Sequence, residues 1–437
     1  MSDQSGGGLR RRFHLLWNRP EGREAVIDGV RAIAVLWVIL LHVFFFHFGT
    51  FPDQVLAVFN GAATKWILQG LLGVDLFFVI SGYLIGTILL REHRASGSIS
   101  MRRFYARRFL RLIPVYCVVM LLAAPLLQDI PPTAFLKEVS PSGNVEYAWA
   151  NLLYVNNLLS IEHQYMPWCW SLAIEEQFYL IAPIFLLLVL GRGRRALLWM
   201  GLLLLASSAI RYGVCVTNEF VPPLEARPSE AEWTKQFDVI YDKLHVRFGG
   251  LLAGMMGAYV ALHHLEQLKR WIGGPVRSTV ILACCAFVFV LVACTAFTAP
   301  TFADVDPTLS QLFFAVHRDL FSVAVIVGIL VACHGQGRFA DGLARLLSAR
   351  VLYPVAQLSY TAYLVHEVVM IWLYPMLAPA LTDAGFSATA TIAVDGVVAV
   401  IVTAAVCVVL FLFVEMPSME WRGSARFRRL SGERAAP

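Results

Sequence analysis

Charge is what this sequence has least of. Only 15% of its 437 residues are Asp, Glu, Lys or Arg, while 58% are hydrophobic. A soluble chain carries roughly 25% charge, so this scarcity excludes an ordinary soluble enzyme and a disordered or collagen-like chain. Cysteine patterns are missing as well: the eight cysteines contain no CxxC and no Cys/His pair at zinc-like spacing. Cys117, Cys215, Cys284, Cys285, Cys294, Cys333 and Cys407 all fall in apolar runs, where a thiol packs as a small hydrophobe. There is no GxSxG, hence no nucleophile elbow. There is no HExxH either, because His366-Glu367 is followed by Val, Val and Met. Gly191-Arg-Gly-Arg-Arg-Ala196 imitates a dinucleotide fingerprint, but it lies between apolar runs and not after a strand. No metal site and no nucleic-acid partner is expected.

What is present in quantity is long apolar sequence. A bilayer crossing needs roughly 20 mainly apolar residues, and ten runs approach that length: Ile27–Phe48, Trp66–Leu90, Leu112–Leu127, Trp168–Leu190, Ala196–Thr217, Leu244–Leu262, Ser278–Ala299, Gln311–Cys333, Val351–Met376 and Ala388–Val414. The third is short. The first is too long for a cleaved signal peptide and no small-x-small site follows it. The expectation is an all-α polytopic integral membrane protein of about ten transmembrane helices. Residues 1–26 precede the membrane domain, 27–414 form it, and 415–437 make a basic tail read as a lipid-facing anchor.

The net charge of +5 conceals a transverse asymmetry. With the N-terminus inside, the inner segments hold 26 basic and 9 acidic residues, and the outer loops hold 5 and 14. Lys and Arg near span ends stay in the cytoplasm, so both termini are expected there. The outer loops Gln128–Pro167 and Asn218–Lys243 are too short for independent domains.

An ionisable residue inside hydrocarbon is a functional-site hypothesis by default. Counting along the helices places His42, Arg211 and His366 roughly 22 Å from an inner end, and Asp75, Glu175, Arg318 and Asp395 roughly 10–14 Å from an outer end. Each alone could be a packing salt bridge, Arg318 with Asp319 for example. Together they favour a polar chamber in one layer, suited to group transfer or to solute translocation. Arg31 and His42 stand eleven residues apart, so they share a helix face roughly 16 Å apart. A neutral imidazole steadied by a carboxylate is a good general base, and Asp75 is the expected carboxylate. Arg103, Arg107 and Arg111 form an i, i+4 stripe that could bind phosphate, or hold the loop inside and touch anionic lipid. Glu175 and Glu176 diverge by about 100° and cannot form a same-face dyad. Ser359, Tyr363 and His366 make a polar stripe on the ninth span.

These residues resemble the acyltransferase 3 family of membrane acyltransferases, in five short blocks in the family's order. The blocks are Asp28-Gly-Val-Arg31 with His42; Gly73-Val-Asp75 through Gly82-Tyr-Leu; Phe104-Tyr-Ala-Arg107-Arg108-Phe-Leu-Arg111-Leu-Ile-Pro114; Trp170-Ser-Leu-Ala-Ile-Glu175-Glu176-Gln177-Phe-Tyr; and Ser359-Tyr-Thr-Ala-Tyr363-Leu-Val-His366. The resemblance implies a ten-helix enzyme of the bacterial inner membrane. It would move an acyl group, usually acetyl, from cytosolic acyl-CoA, a co-substrate and not a resident cofactor. Acceptors in the family are typically hydroxyls of cell-envelope polysaccharides, in some members antibiotics or lipids. By that carry-over Arg31 and His42 are the catalytic pair, Arg108 and Arg111 bind the donor, and the other stripe arginines, Arg103 and Arg107, join them. Many members carry a fused extracytoplasmic esterase-like domain, and this sequence is expected to lack one. His42 oriented by Asp75 would deprotonate the acceptor, Glu175 and His366 would position it, and Arg211 or Arg318 would steady the oxyanion. An acyl group resting on His42 fits equally well. The competing readings are a transporter or flippase using the same buried charges, and a structural subunit of an envelope-polysaccharide machine. The acidic outer loops argue against a strongly anionic acceptor.

Overall fold

A computed structural model describes residues 3–20, 24–128, 144–220, 234–295, 306–424 and 427. Loop residues 129–143 and 221–233, and most of the basic tail expected to anchor on lipid, lie outside the described residues. Among the described residues there is no strand, and ten helices reach 20 residues or more. They are α1 (Ala25–Phe45), α2 (Leu72–Ser96), α3 (Met101–Gln128), α4 (Trp170–Leu190), α5 (Ala196–Thr217), α6 (Leu244–His263), α7 (Pro275–Thr295), α8 (Pro307–His334), α9 (Leu352–Asp383) and α10 (Ala388–Leu410). Each coincides with one of the ten apolar runs. Eight helices are long and apolar enough to cross a membrane, and α6 makes nine if it is joined to Leu265–Ile272 across a 101° bend. The apolar part of α3 is short because arginines fill the first part of that helix.

The helices pack through small residues. A Cβ on Gly82 of α2 would collide with the backbone of Leu251 in α6, and one on Gly254 would collide with Val79 and Tyr83 in α2. Without a hydrophobic drive between helices in lipid, such close backbone approach supplies the packing. The α2–α6 pair thereby forms a rigid wall beside α1, α8 and α4.

The arginine-rich segments gather at one end of the bundle. Arg12 pairs with Glu420 at 2.6 Å and Arg91 with Glu24 at 3.3 Å. Arg19 donates to the Ser348 carbonyl at 3.1 Å and Arg94 to that of Leu262 at 3.4 Å. The N-terminal helix Asp3–Trp17 and the helix Met416–Arg422 therefore share the basic end.

One loop departs from expectation. Residues 144–169 do not lie wholly over the surface: Asn151, Asn156, Asn157 and Gln164 are fully buried, while Trp149, Leu152, Leu153 and Leu158 stay exposed. They fold into the bundle as short helical turns. Asn157 donates to the Asp242 carbonyl at 3.2 Å and Gln164 to the Asp242 carboxylate at 2.9 Å. This insertion pushes the start of α4 inward: Trp168 donates to the Leu364 carbonyl at 3.2 Å and Ser171 to the Tyr363 hydroxyl at 2.7 Å. Leu364 stands roughly 18 Å along α9 from its first residue. Trp168-Cys169-Trp170 is thus buried in the middle of the bundle.

Candidate functional site

The polar stripe on α9 is the spine of the site, and each member reaches another helix. Ser359 accepts from Arg31 Nη2 at 2.9 Å, so α1 and α9 are joined near the basic end. Tyr363 donates to the Trp168 carbonyl at 2.8 Å, joining α9 to the inserted start of α4. His366 meets His42, with ring centroids 4.9 Å apart. The pair comes together because α1 and α9 run side by side and both histidines project from facing stripes.

The hydrogen bonds assign the tautomers. His42 Nδ1 lies 2.8 Å from the Val38 carbonyl, and His366 Nδ1 lies 2.9 Å from that of Tyr363. A carbonyl can only accept, so Nδ1 carries the hydrogen in both neutral rings. His42 Nε2 is then a lone pair, and it faces Glu367 Oε1 at 3.2 Å. Two acceptors at that distance require a proton between them, so the His42–Glu367 couple holds one. His366 Nε2 stands 3.4 Å from His42 Nδ1 and braces the ring from its other side. The His42 side chain is 19% exposed and that of Glu367 12%, so the couple is reachable. The ligand atoms of His42, His366 and Glu367 all lie within 4.8 Å of one another and can also hold a divalent cation.

The carboxylate on His42 is therefore Glu367, and the orienting role expected of Asp75 does not hold. Asp75 Oδ2 is engaged by Arg318 Nη1 at 2.5 Å and Arg247 Nη2 at 3.5 Å. Two cations claim the aspartate, and it belongs to a separate cluster between α2, α6 and α8. The predicted oxyanion donors are likewise occupied. Arg211 bonds the carbonyls of Val246 and Ala315 and pairs with Asp319 at 3.3 Å. Arg318 is held by Asp75 and not by its neighbour Asp319. Asp395 pairs with His47 at 3.0 Å. The seven ionisable residues thus divide among several sites and do not line one chamber.

Glu175 lies nearer the basic end than counting suggested, because α4 starts deep. Its Oε2 accepts from Tyr179 at 2.9 Å, and Arg108 and Arg31 both act on it electrostatically. Tyr179 also bonds Ser81 at 3.2 Å. Glu176 diverges as expected and lines a groove of about 700 Å³ with Arg108, Tyr154, Tyr179 and Leu180. Its Oε1 is buried without a hydrogen-bond partner. Arg108 stacks over the rings of Tyr179 at 5.4 Å and Phe104 at 5.9 Å. Arg103 pairs with Glu92 at 3.7 Å. Arg107 and Arg111 stand within electrostatic reach of Arg422, a third guanidinium that the sequence reading did not select. Glu367 and Arg247 were also missed. Glu367 adjoins His366 in sequence, but its pairing depends on His42, 325 positions away.

The sequence matches known proteins. The pattern of the acyltransferase domain covers residues 24–412. The peptidoglycan O-acetyltransferase OatA of Listeria monocytogenes is 28% identical over 362 residues, covering 80% of this chain and 50% of that protein. A putative O-acetyltransferase of Staphylococcus aureus is 34% identical over 174 residues, 38% of this chain and 25% of that one. The nose resistant to fluoxetine protein 6 of Caenorhabditis elegans is 23% identical over 399 residues, 84% of this chain and 47% of that one. No solved structure matches the chain. The chain spans half the length or less of these curated relatives. With a family match over nearly its whole length and the family's histidine and arginine blocks assembled along α1, α3 and α9, this chain belongs to the acyltransferase 3 family.

Proposed function

We propose that this chain is a membrane O-acyltransferase that moves an acyl group, acetyl by preference, from acyl-CoA to a hydroxyl of a cell-envelope carbohydrate. One observation carries the reading: a reachable His42–Glu367 couple sharing a proton in the interior of a membrane bundle, joined by the α9 stripe to an arginine-rich end. In this reading the protein sits in the bacterial inner membrane with the basic end in the cytoplasm. The donor's phosphates rest against Arg107, Arg108 and Arg111, joined by Arg422. Its thin arm follows the Arg31–Ser359 contact for roughly 16 Å to His42.

At His42 the acceptor hydroxyl replaces the Glu367 contact and gives its proton to Nε2. The oxygen attacks the thioester carbonyl, the C–S bond breaks, and the proton passes from Nε2 to the departing thiolate. The products are the ester and free CoA, with no net proton released. Glu367 keeps the proton the couple shared, which leaves Nε2 free to accept the hydroxyl's, and His366 keeps the ring in place.

The test is thiol release from acetyl-CoA by the purified protein in detergent, with and without envelope glycan fragments. Acceptor-dependent release that vanishes in His42→Ala supports the reading. Gradient-driven uptake of glycan without donor, with no thiol release, would replace it with a transporter.

A further inference from the structure

The cluster around Asp75 is not neutral. Among the described residues it joins three guanidiniums, Arg211, Arg247 and Arg318, to two carboxylates, Asp75 and Asp319. One positive charge is left over in the interior of a membrane bundle, where an unpaired ion costs several kcal/mol. The surplus falls on Arg247. Arg211 spends its hydrogens on two backbone carbonyls, Ser207 and Asp319. Arg318 holds the short contact to Asp75. Arg247 has only a 3.5 Å contact to that same oxygen, and its Nε and Nη1 are buried with no hydrogen-bond partner.

Three rings surround this guanidinium: Trp170 at 5.0 Å, Tyr241 at 5.5 Å and Phe78 at 5.7 Å. Phe78 and Trp170 are buried. Tyr241 is partly exposed, so the way to Arg247 runs past it. Tyr241 ends a π-helical turn, Phe237–Tyr241, a geometry that recurs at functional sites. It also lies within electrostatic reach of Glu367, the partner of His42.

We infer that Arg247 is an anchoring site for a carboxylate on the acceptor, with Tyr241 as the side chain that swings to admit it. This rests on the transferase reading and adds the substrate class: a carbohydrate that bears one carboxylate beside the hydroxyl to be acylated. One surplus charge matches one carboxylate. A phosphate monoester, with nearly two charges at neutral pH, overshoots it. The anchor belongs to the Asp75 cluster and not to the His42 couple, so it grips a substituent of the acceptor and not the reacting carbonyl.

The test compares a uronic-acid disaccharide with the neutral disaccharide that carries CH2OH in place of the carboxylate. Affinity is measured by thermal shift on the full chain in detergent, without donor. The acidic sugar is expected to bind at least about tenfold more tightly, as a charge-assisted hydrogen bond of about 1.5–3 kcal/mol implies. In Arg247→Gln the two sugars should bind alike, and Arg247→Lys should keep part of the preference. Equal affinity in the unaltered protein overturns the inference, whether or not Arg247→Gln folds. So does a preference that survives in a folded Arg247→Gln, or competition by inorganic phosphate as effective as that by acetate. Because binding is read without acyl-CoA, absent thiol release with both sugars would sink the transferase reading and leave this one standing.

Discussion

Two polar clusters sit in the same bundle and manage buried charge in opposite ways. Around Asp75 and Asp319, carboxylates are saturated by guanidiniums, and every member is below 9% exposed. Between α1 and α9, His42 and Glu367 have one main partner each and remain partly open. Arginine keeps its charge under all conditions, so the first cluster can bind but cannot exchange protons. The imidazole–carboxylate couple can hold, give and take back a proton. Chemistry is therefore assigned to the less satisfied of the two, and architecture and anchoring to the other.

The sharpest way to break this division is to delete each cluster's central residue and compare activity with stability. His42→Ala should lower kcat by about 10²- to 10⁴-fold, the usual worth of a general base, with a thermal midpoint near that of the unaltered protein. Asp75→Ala should do the reverse in kind. It strands Arg318 and Arg247 and should destabilise the fold by about 3–5 kcal/mol, read as a lowered midpoint or loss of monodisperse protein. If Asp75→Ala folds normally and loses activity alone, the two clusters have been assigned backwards. Glu367→Gln probes the couple itself. It keeps a hydrogen bond but cannot take the couple's proton from Nε2, and should cost about 10- to 100-fold in kcat with little change in KM.

The smallest effect concerns the latch that holds the inserted loop. Burial pushes the Asp242 carboxyl up to about 6, with Lys243 and Gln164 opposing the rise. A carboxyl raised in the folded state favours its protonated form there. Its contribution to stability is complete below pH 4 and is lost as the pH rises to about 6. The thermal midpoint should fall by a few degrees across that window, and Asp242→Asn should flatten the fall.

Within single helices the sequence was readable to the residue. Arg31 and His42 share a face, and Ser359, Tyr363 and His366 form one stripe, because the 3.6-residue period fixes relative direction along a helix. The ten apolar runs likewise gave the helices and the gathering of basic ends. Pairing between helices was not readable, since it depends on how each helix is rotated about its axis. Asp75 was the expected partner of His42, and nothing along the chain singled out Glu367 until the α1–α9 contact paired it with His42. The depth of Glu175 was misjudged for another reason: counting assumed that α4 begins at the membrane surface, and the inserted segment 144–169 makes it begin halfway. Arg247 escaped notice because, as the fourth residue of its run, it looked like an ordinary interfacial cation.

That halfway start has a consequence for the membrane as a barrier. Irregular backbone at membrane depth is tolerated only where protein buries it or water reaches it. Here protein buries it: Asn151, Asn156, Asn157 and Gln164 of the segment before α4 are shielded. The bonds among Ser171, Tyr363 and the Trp168 carbonyl then act as a seal beside the reactive couple. In the proposed reading an acyl group passes from one face of the membrane to the other, and ions must not pass with it. Proton leakage from liposomes carrying Tyr363→Ala reads the tightness of that seal.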